Sequence, residues 1–171
     1  MAERPKHDHK EGCVFCTVPS EQRQDLGVSS FYGSFDAFPI SPGHLEIVPA
    51  RHVVESMDLT EREWIDLGKA RKTAREIIES TNLTVVYRDL LKKPVDDNSV
   101  HLLQETLRNP NISLPPTDYN EGFNDGKAAG RTVDHFHWHV IPRYEGDVED
   151  PRGGIRYVIP DLANYKLPRN K

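Results

Sequence analysis

Three histidines alternate with apolar residues in the stretch Asp134-His135-Phe136-His137-Trp138-His139-Val140-Ile141-Pro142-Arg143. At the two-residue period of a β-strand, Val133, His135, His137, His139 and Ile141 share one face, with Phe136, Trp138 and Val140 on the other. Three of the chain's eight histidines therefore point the same way. Packing gives no reason for this, because each ring carries a donor or acceptor that burial must satisfy. The pattern predicts a face put to chemical use, and two uses fit it. Alternate residues lie roughly 6.6 Å apart along a strand, so two imidazoles can tilt onto one metal ion as a His-x-His pair. Alternatively, an imidazole that is largely neutral at pH 7 attacks a phosphorus or carbonyl centre and leaves again readily.

The residues just upstream suit phosphate. Asn124-Asp125-Gly126-Lys127-Ala128-Ala129-Gly130-Arg131-Thr132-Val133 is a small-residue turn feeding the histidine strand. Such a turn exposes backbone N–H groups, and Gly130 lets an anionic ligand come close to the main chain. Thr132 adds a hydroxyl and Arg131 a charge. Most glycine-rich runs are ordinary turns; this one gains weight from the three aligned histidines that follow it.

With these residues the chain resembles the histidine-triad (HIT) family of nucleotide hydrolases and transferases, whose signature is His-x-His-x-His followed by two apolar residues. His135, His137 and His139 with Val140 and Ile141 match it, and Pro42-Gly43-His44 matches the family's step into an earlier strand. The resemblance runs from about Cys13 to Tyr144, apart from an insertion. It implies that His137 is the nucleophile, that His139 donates to phosphate or leaving-group oxygens, and that His44 orients the rings. Asp36, eight positions before His44, stands where the family binds ribose hydroxyls. Asn124, Gly130 and Thr132 would stabilise charge on the phosphoryl group, and Val14, Phe15 and Val18 would line the base pocket or serve equally as core. Arg131, seven positions after Asn124, replaces the glutamine most relatives carry, and an extra charge there favours a polyphosphate leaving group.

Cys13 and Cys16 are the only two cysteines and form a C-x-x-C. In a reducing compartment such a pair is more often metal-binding or redox-active than structural. The zinc-containing branch of the resembled family supplies two further ligands, at His52 and His135 here, so a structural zinc is expected and no catalytic cofactor is required. The implied reaction is hydrolysis or transfer at the α-phosphate of a (di)adenosine polyphosphate or nucleoside phosphoramidate, through a nucleotidyl-histidine. Two rival readings are a metal-dependent hydrolase built on a His-x-His site and a non-catalytic nucleotide-binding regulatory protein.

The elements that must hold these residues are legible in part. With 171 residues, 36% hydrophobic and 29% charged, the chain suits one globular domain, and a net charge of −5 offers no footprint for long nucleic acid. Residues 1–12 are polar and read as a disordered tail without a signal peptide, and no apolar run approaches a membrane span. A cytoplasmic protein is expected, one that takes a small-molecule nucleotide and, by the resemblance, pairs as a homodimer. The fold implied is α+β: a HIT-like antiparallel sheet of about five strands with a packed helix, over residues 13–171. Strands are predicted over Phe31–Phe38 with a break at Gly33, His44–Pro49 and Tyr119–Phe123. Thr60-Glu61-Arg62-Glu63 has capping-box spacing and opens an amphipathic helix with Trp64, Leu67, Ala70, Ala74, Ile77 and Ile78 on one face, ending at Thr81-Asn82. Residues 83–117 form the insertion, with a strand over Leu83–Tyr87 and a short helix over Ser99–Leu107. Its polarity places it on the surface, at the active-site edge or on a dimer partner.

Overall fold

The computed structural model of the chain describes residues 9–164. Five antiparallel strands are ordered β1-β2-β3-β5-β4, comprising β1 (Gln24–Asp25), β2 (Phe31–Phe35), β3 (Leu45–Pro49), β4 (Asp118–Gly122) and β5 (Trp138–Arg143). Helices α1 (Glu61–Ser80), α2 (Leu83–Leu90), α3 (Asp97–Arg108) and the single turn α4 (Pro160–Ala163) complete the expected α+β arrangement. Among the described residues no helix is long and apolar enough to cross a membrane. The expected tail lies outside the described residues up to position 8.

Helix α1 starts where its capping box requires: the Thr60 hydroxyl accepts from the Glu63 N–H, and the Glu63 carboxylate accepts from the Thr60 N–H. Its buried stripe of Leu67, Ala70, Ala74 and Ile78 packs with Leu45, Ile47 and Val140 on one face of the sheet. Trp64 does not join it and is exposed. The first two turns instead bury Glu63 and Asp66, whose carboxylates are held by Arg51 and by Ser30 with Arg62. The same alternation turns His44, Glu46 and Val48 away from α1. Register then lines up Ser34, Glu46, His139 and Gly122 across four strands on that opposite face.

Three expectations about strands needed correction. Strand β2 runs through Gly33 without a break; a Cβ there would come within 3.1 Å of Gln24 and 3.2 Å of Leu26, so this glycine marks close packing of neighbours. Leu83–Tyr87 is helix, because the Asn82 side chain caps it by accepting from the Val85 N–H, and Leu83 and Tyr87, four apart, are buried together. The β-branched Val85 and Val86 had suggested a strand. The hydrogen-bonded strand of the triad begins only at Trp138, so His135 and His137 precede it. Upstream the chain bends away from β3, with the Phe136 N–H donating to the Val53 carbonyl at 2.6 Å.

The segment read as an insertion, residues 83–117, carries α2 and α3, and it is not confined to the surface: Tyr87, Leu103 and Ser99 are fully buried. Two of its hydroxyl groups grip the connection between β2 and β3. Tyr87 Oη accepts from the Gly43 N–H at 2.7 Å, and Ser99 Oγ donates to the Ala37 carbonyl at 2.9 Å. Gly43 itself must be glycine, since its φ is +87° and a Cβ would meet Ile78 at 2.8 Å.

Candidate active site

The face of the sheet turned away from α1 gathers the triad. His137 is buried, and its Nδ1 lies 2.8 Å from the carbonyl oxygen of His135. A carbonyl only accepts, so Nδ1 carries the proton and Nε2 is left with a free lone pair. Burial pushes the His137 pKa down, partly offset by that hydrogen bond and by Asp36, so the ring is neutral at pH 7. His139, at the start of β5, places Nδ1 3.0 Å from His44 Nε2. Both rings are pushed down to about 4, first by burial; next come His137 for His44, and His44 then His137 for His139. His44 therefore touches His139, while the tautomer of His137 is set by its own backbone neighbour.

Asp36, just past β2, comes to the same corner. Its Oδ1 accepts from the Phe38 N–H at 2.8 Å. Its Oδ2 lies 3.1 Å from His44 Nδ1, which makes no hydrogen bond. Burial raises the Asp36 pKa, with the Phe38 N–H and the nearby His139 and His137 rings acting against it.

The phosphate turn is gathered less completely. Asn124 packs beside Gly130, whose φ is +97°. The Gly130 N–H donates to the Lys127 carbonyl and the Arg131 N–H to the Gly126 carbonyl, so both amides are used within the turn. Thr132 is exposed and, with Val14, lines a cavity of about 270 Å³ beside Cys13 and Asp134. Arg131 is ringed by carboxylates: its Nη1 lies 3.2 Å from Glu55 and 3.7 Å from Asp125, its Nε 3.3 Å from Asp134. Its charge is thus compensated within the protein and is not held open for a polyphosphate. Phe15 is buried with its ring 5.1 Å from that of His137. Val18 packs beside it and Val14 is exposed.

The HIT domain model matches residues 30–146, which include Asp36, His44, Asn124, Arg131, Thr132 and all three triad histidines. The chain belongs to the HIT family. It is 31% identical over 134 residues to an AP-4-A phosphorylase of Mycobacterium tuberculosis, covering 77% of this chain and 52% of that one. It is 28% identical to the asymmetrical bis(5'-nucleosyl)-tetraphosphatase of Schizosaccharomyces pombe, covering 78% of this chain and 50% of that one. The chain thus spans about half the length of these two relatives. In fold it is similar to the diadenosine triphosphate hydrolase of Plasmodium falciparum solved with cyclomarin A, with a TM-score of 0.51, 22% identity, and coverage of 84% and 73% of the two chains. It is also similar to a zinc-bound histidine triad protein of Mycobacterium smegmatis, with a TM-score of 0.50, 24% identity and coverage of 90% and 95%.

Beside this HIT site the four expected ligands stand together. The two sulfurs and two imidazole nitrogens of Cys13, Cys16, His52 and His135 all lie within 4.8 Å of one another. The donor set fits a metal on its own chemistry. His135 Nε2 is 3.2 Å from the Pro49 carbonyl, so it bears the proton and Nδ1 presents its lone pair to Cys13 Sγ at 3.4 Å and Cys16 Sγ at 3.7 Å. His52 Nδ1 lies 3.4 Å from Cys16 Sγ. Two thiolates and two imidazoles make a closed tetrahedral zinc set.

Three residues of the site escaped the sequence reading. Tyr87 and Ser99 were hidden in the insertion, where no local pattern shows what a buried hydroxyl will reach. Glu46 carried a signal that could have been used: it is the one charged residue in Leu45-Glu46-Ile47-Val48, and it faces the histidines.

Proposed function

We propose that this HIT protein is a nucleotide hydrolase or nucleotidyl transferase acting at the α-phosphate of a diadenosine polyphosphate or nucleoside phosphoramidate. The observation that carries the reading is the hydrogen bond from His137 Nδ1 to the His135 carbonyl, which leaves Nε2 as a neutral nucleophile aimed away from the backbone. His137 Nε2 attacks the α-phosphorus, the leaving group departs, and water cleaves the nucleotidyl-histidine. The His44–His139 bond decides which nitrogen faces the substrate. With the proton on His44 Nε2, His139 keeps Nε2–H and donates it to a phosphoryl oxygen. Asn124 and Thr132 add donors as charge develops, while Gly130, whose amide is bonded to the Lys127 carbonyl, shapes the turn. Asp36 still has a lone pair open on each oxygen for ribose hydroxyls, and Phe15, Val14 and Val18 flank the base. AP-4-A phosphorylase and tetraphosphatase relatives support the substrate class. A structural zinc on Cys13, Cys16, His52 and His135 and association as a homodimer belong to the same reading. The zinc would pin the N-terminal segment to the triad loop.

The test is transfer of label from α-phosphate-labelled diadenosine tetraphosphate to the protein, quenched in alkali because phosphoramidates on histidine survive base. Wild type should carry label and His137→Ala none, with turnover reduced by at least about 10⁴-fold. Unlabelled wild type that still releases AMP, and stops at once on chelation, would shift the reading to the metal hydrolase. In that case Glu46, His137 and His139, whose donor atoms also lie within 4.8 Å of one another, would hold the ion.

A further inference from the structure

Glu46 lies on the triad face of β3, directly across from His139 on one side and Ser34 on the other. It is buried, with 10% of its side chain still open, and its Oε1 is 3.9 Å from His139 Nδ1, too far for a hydrogen bond. Among the described residues its carboxyl makes no hydrogen bond at all. A carboxyl oxygen of Glu46 and ring nitrogens of His137 and His139 lie within 4.8 Å of one another. The titratable groups around it are His137, His139, Asp36 and Tyr32. Burial first, then the Asp36 carboxylate, raise its pKa well above the usual carboxylate range.

A buried carboxyl with no hydrogen-bond partner is destabilising, and Val48, which shares its face of β3, is apolar and fully buried. Nothing in the fold uses this carboxyl. Within its reach are ring nitrogens of His137 and His139, and a phosphoryl group attacked by His137 must come to about 3 Å from that ring. Resting on the function proposed above, we infer that Glu46 is a catalytic residue, the proton donor to the leaving group in the first step and the base for water in the second. In the first step His137 Nε2 bonds to phosphorus, the bond from phosphorus to the leaving nitrogen or oxygen breaks, and the Glu46 carboxylic acid gives that atom its proton. In the second step the Glu46 carboxylate takes a proton from water, the water oxygen bonds to phosphorus, and the bond to Nε2 breaks. Each turnover returns Glu46 to its acid form. One carboxyl thus serves as acid and then as base, which needs only that it reach the same side of phosphorus twice.

The test compares wild type, Glu46→Gln and Glu46→Asp on adenosine phosphoramidate, whose amine needs a proton to leave, and on the p-nitrophenyl ester of AMP, whose nitrophenolate does not. Glu46→Gln should lose about 10²–10⁴-fold in kcat/KM on the phosphoramidate, together with the alkaline limb of its pH profile. On the nitrophenyl ester it should keep a burst at the wild-type rate, then accumulate labelled protein that added azide or formate releases. Glu46→Asp should fall between the two. Glu46→Gln that stays within threefold of wild type on both substrates overturns the inference. So does an equal loss on the two substrates with a lowered thermal midpoint, which is the signature of a structural role. A wild type that turns over neither substrate overturns the reading of the site and this inference with it.

Discussion

At the scale of single residues, the site is a set of neutral imidazoles kept neutral by burial. His44 shows the consequence for stability. Its folded pKa of about 4 lies below its ordinary value of 6.5, so between those values the unfolded chain binds a proton that the folded one refuses. The stability from this ring is fully present above pH 6.5 and is lost as pH falls toward 4, on the order of 3 kcal/mol in all. His139 acts in the same direction. Asp36 and Glu46 act in the other, because their folded pKa values are raised. The thermal midpoint should fall between pH 7 and pH 4.5, and His44→Gln should flatten that slope. A slope identical in wild type and variant would mean that His44 is protonated without cost. Arg131 shows how a neighbourhood can reassign a residue: its three carboxylate partners, Glu55, Asp125 and Asp134, make it a tie between the segment after β3 and the triad loop.

At the scale of elements, the connection between β2 and β3 carries both Asp36 and His44, and α2 and α3 hold it from behind. Tyr87→Phe removes one hydroxyl and leaves the Gly43 N–H buried without its acceptor. The expected cost is about 1–3 kcal/mol of stability. Because Gly43 adjoins His44, kcat should drop severalfold with KM little changed. A denaturation midpoint within error of wild type would show that the amide finds another acceptor. Helix α1 plays a different part. Its Arg71 and Arg75 pair with Glu121 of β4, which also accepts from the Trp138 indole N–H. These contacts fix the helix-facing side of β5 and so aim His139 the other way.

At the scale of the whole molecule, the N-terminal segment is closed over the triad face by a second small core of Cys13, Phe15, Cys16, Tyr32 and Val48, with the Tyr32 hydroxyl donating to the Phe15 carbonyl. The four-ligand cluster sits at that seam. With zinc bound there, elemental analysis should find one ion per chain. Its removal by a strong chelator should be slow and lower the thermal midpoint by roughly 10 °C, at about 2–4 °C per kcal/mol for a chain of this size. Cys13→Ser should reproduce the shift. Instant loss of activity at an unchanged midpoint would place the essential metal elsewhere.

The sequence by itself determined the family signature and the elements with a strong local period. Alternation in His135–Ile141 separated the histidines from the packing side chains, the Thr60–Glu63 spacing set the start of α1, and the C-x-x-C singled out Cys13 and Cys16, which the fold brings beside His52 and His135. These features depend on neighbours a few residues apart, and the backbone periods fix their geometry. What only the tertiary structure decided depends on partners far along the chain: that Leu83–Tyr87 is helix, that Tyr87 and Ser99 reach back to Gly43 and Ala37, and that Arg131 meets three carboxylates. It also decided that Glu46 stands unpartnered beside His139. Hydrogen bonds and ion pairs between such distant positions form only once packing brings their atoms within about 3 Å, and no pattern local to the sequence encodes that meeting.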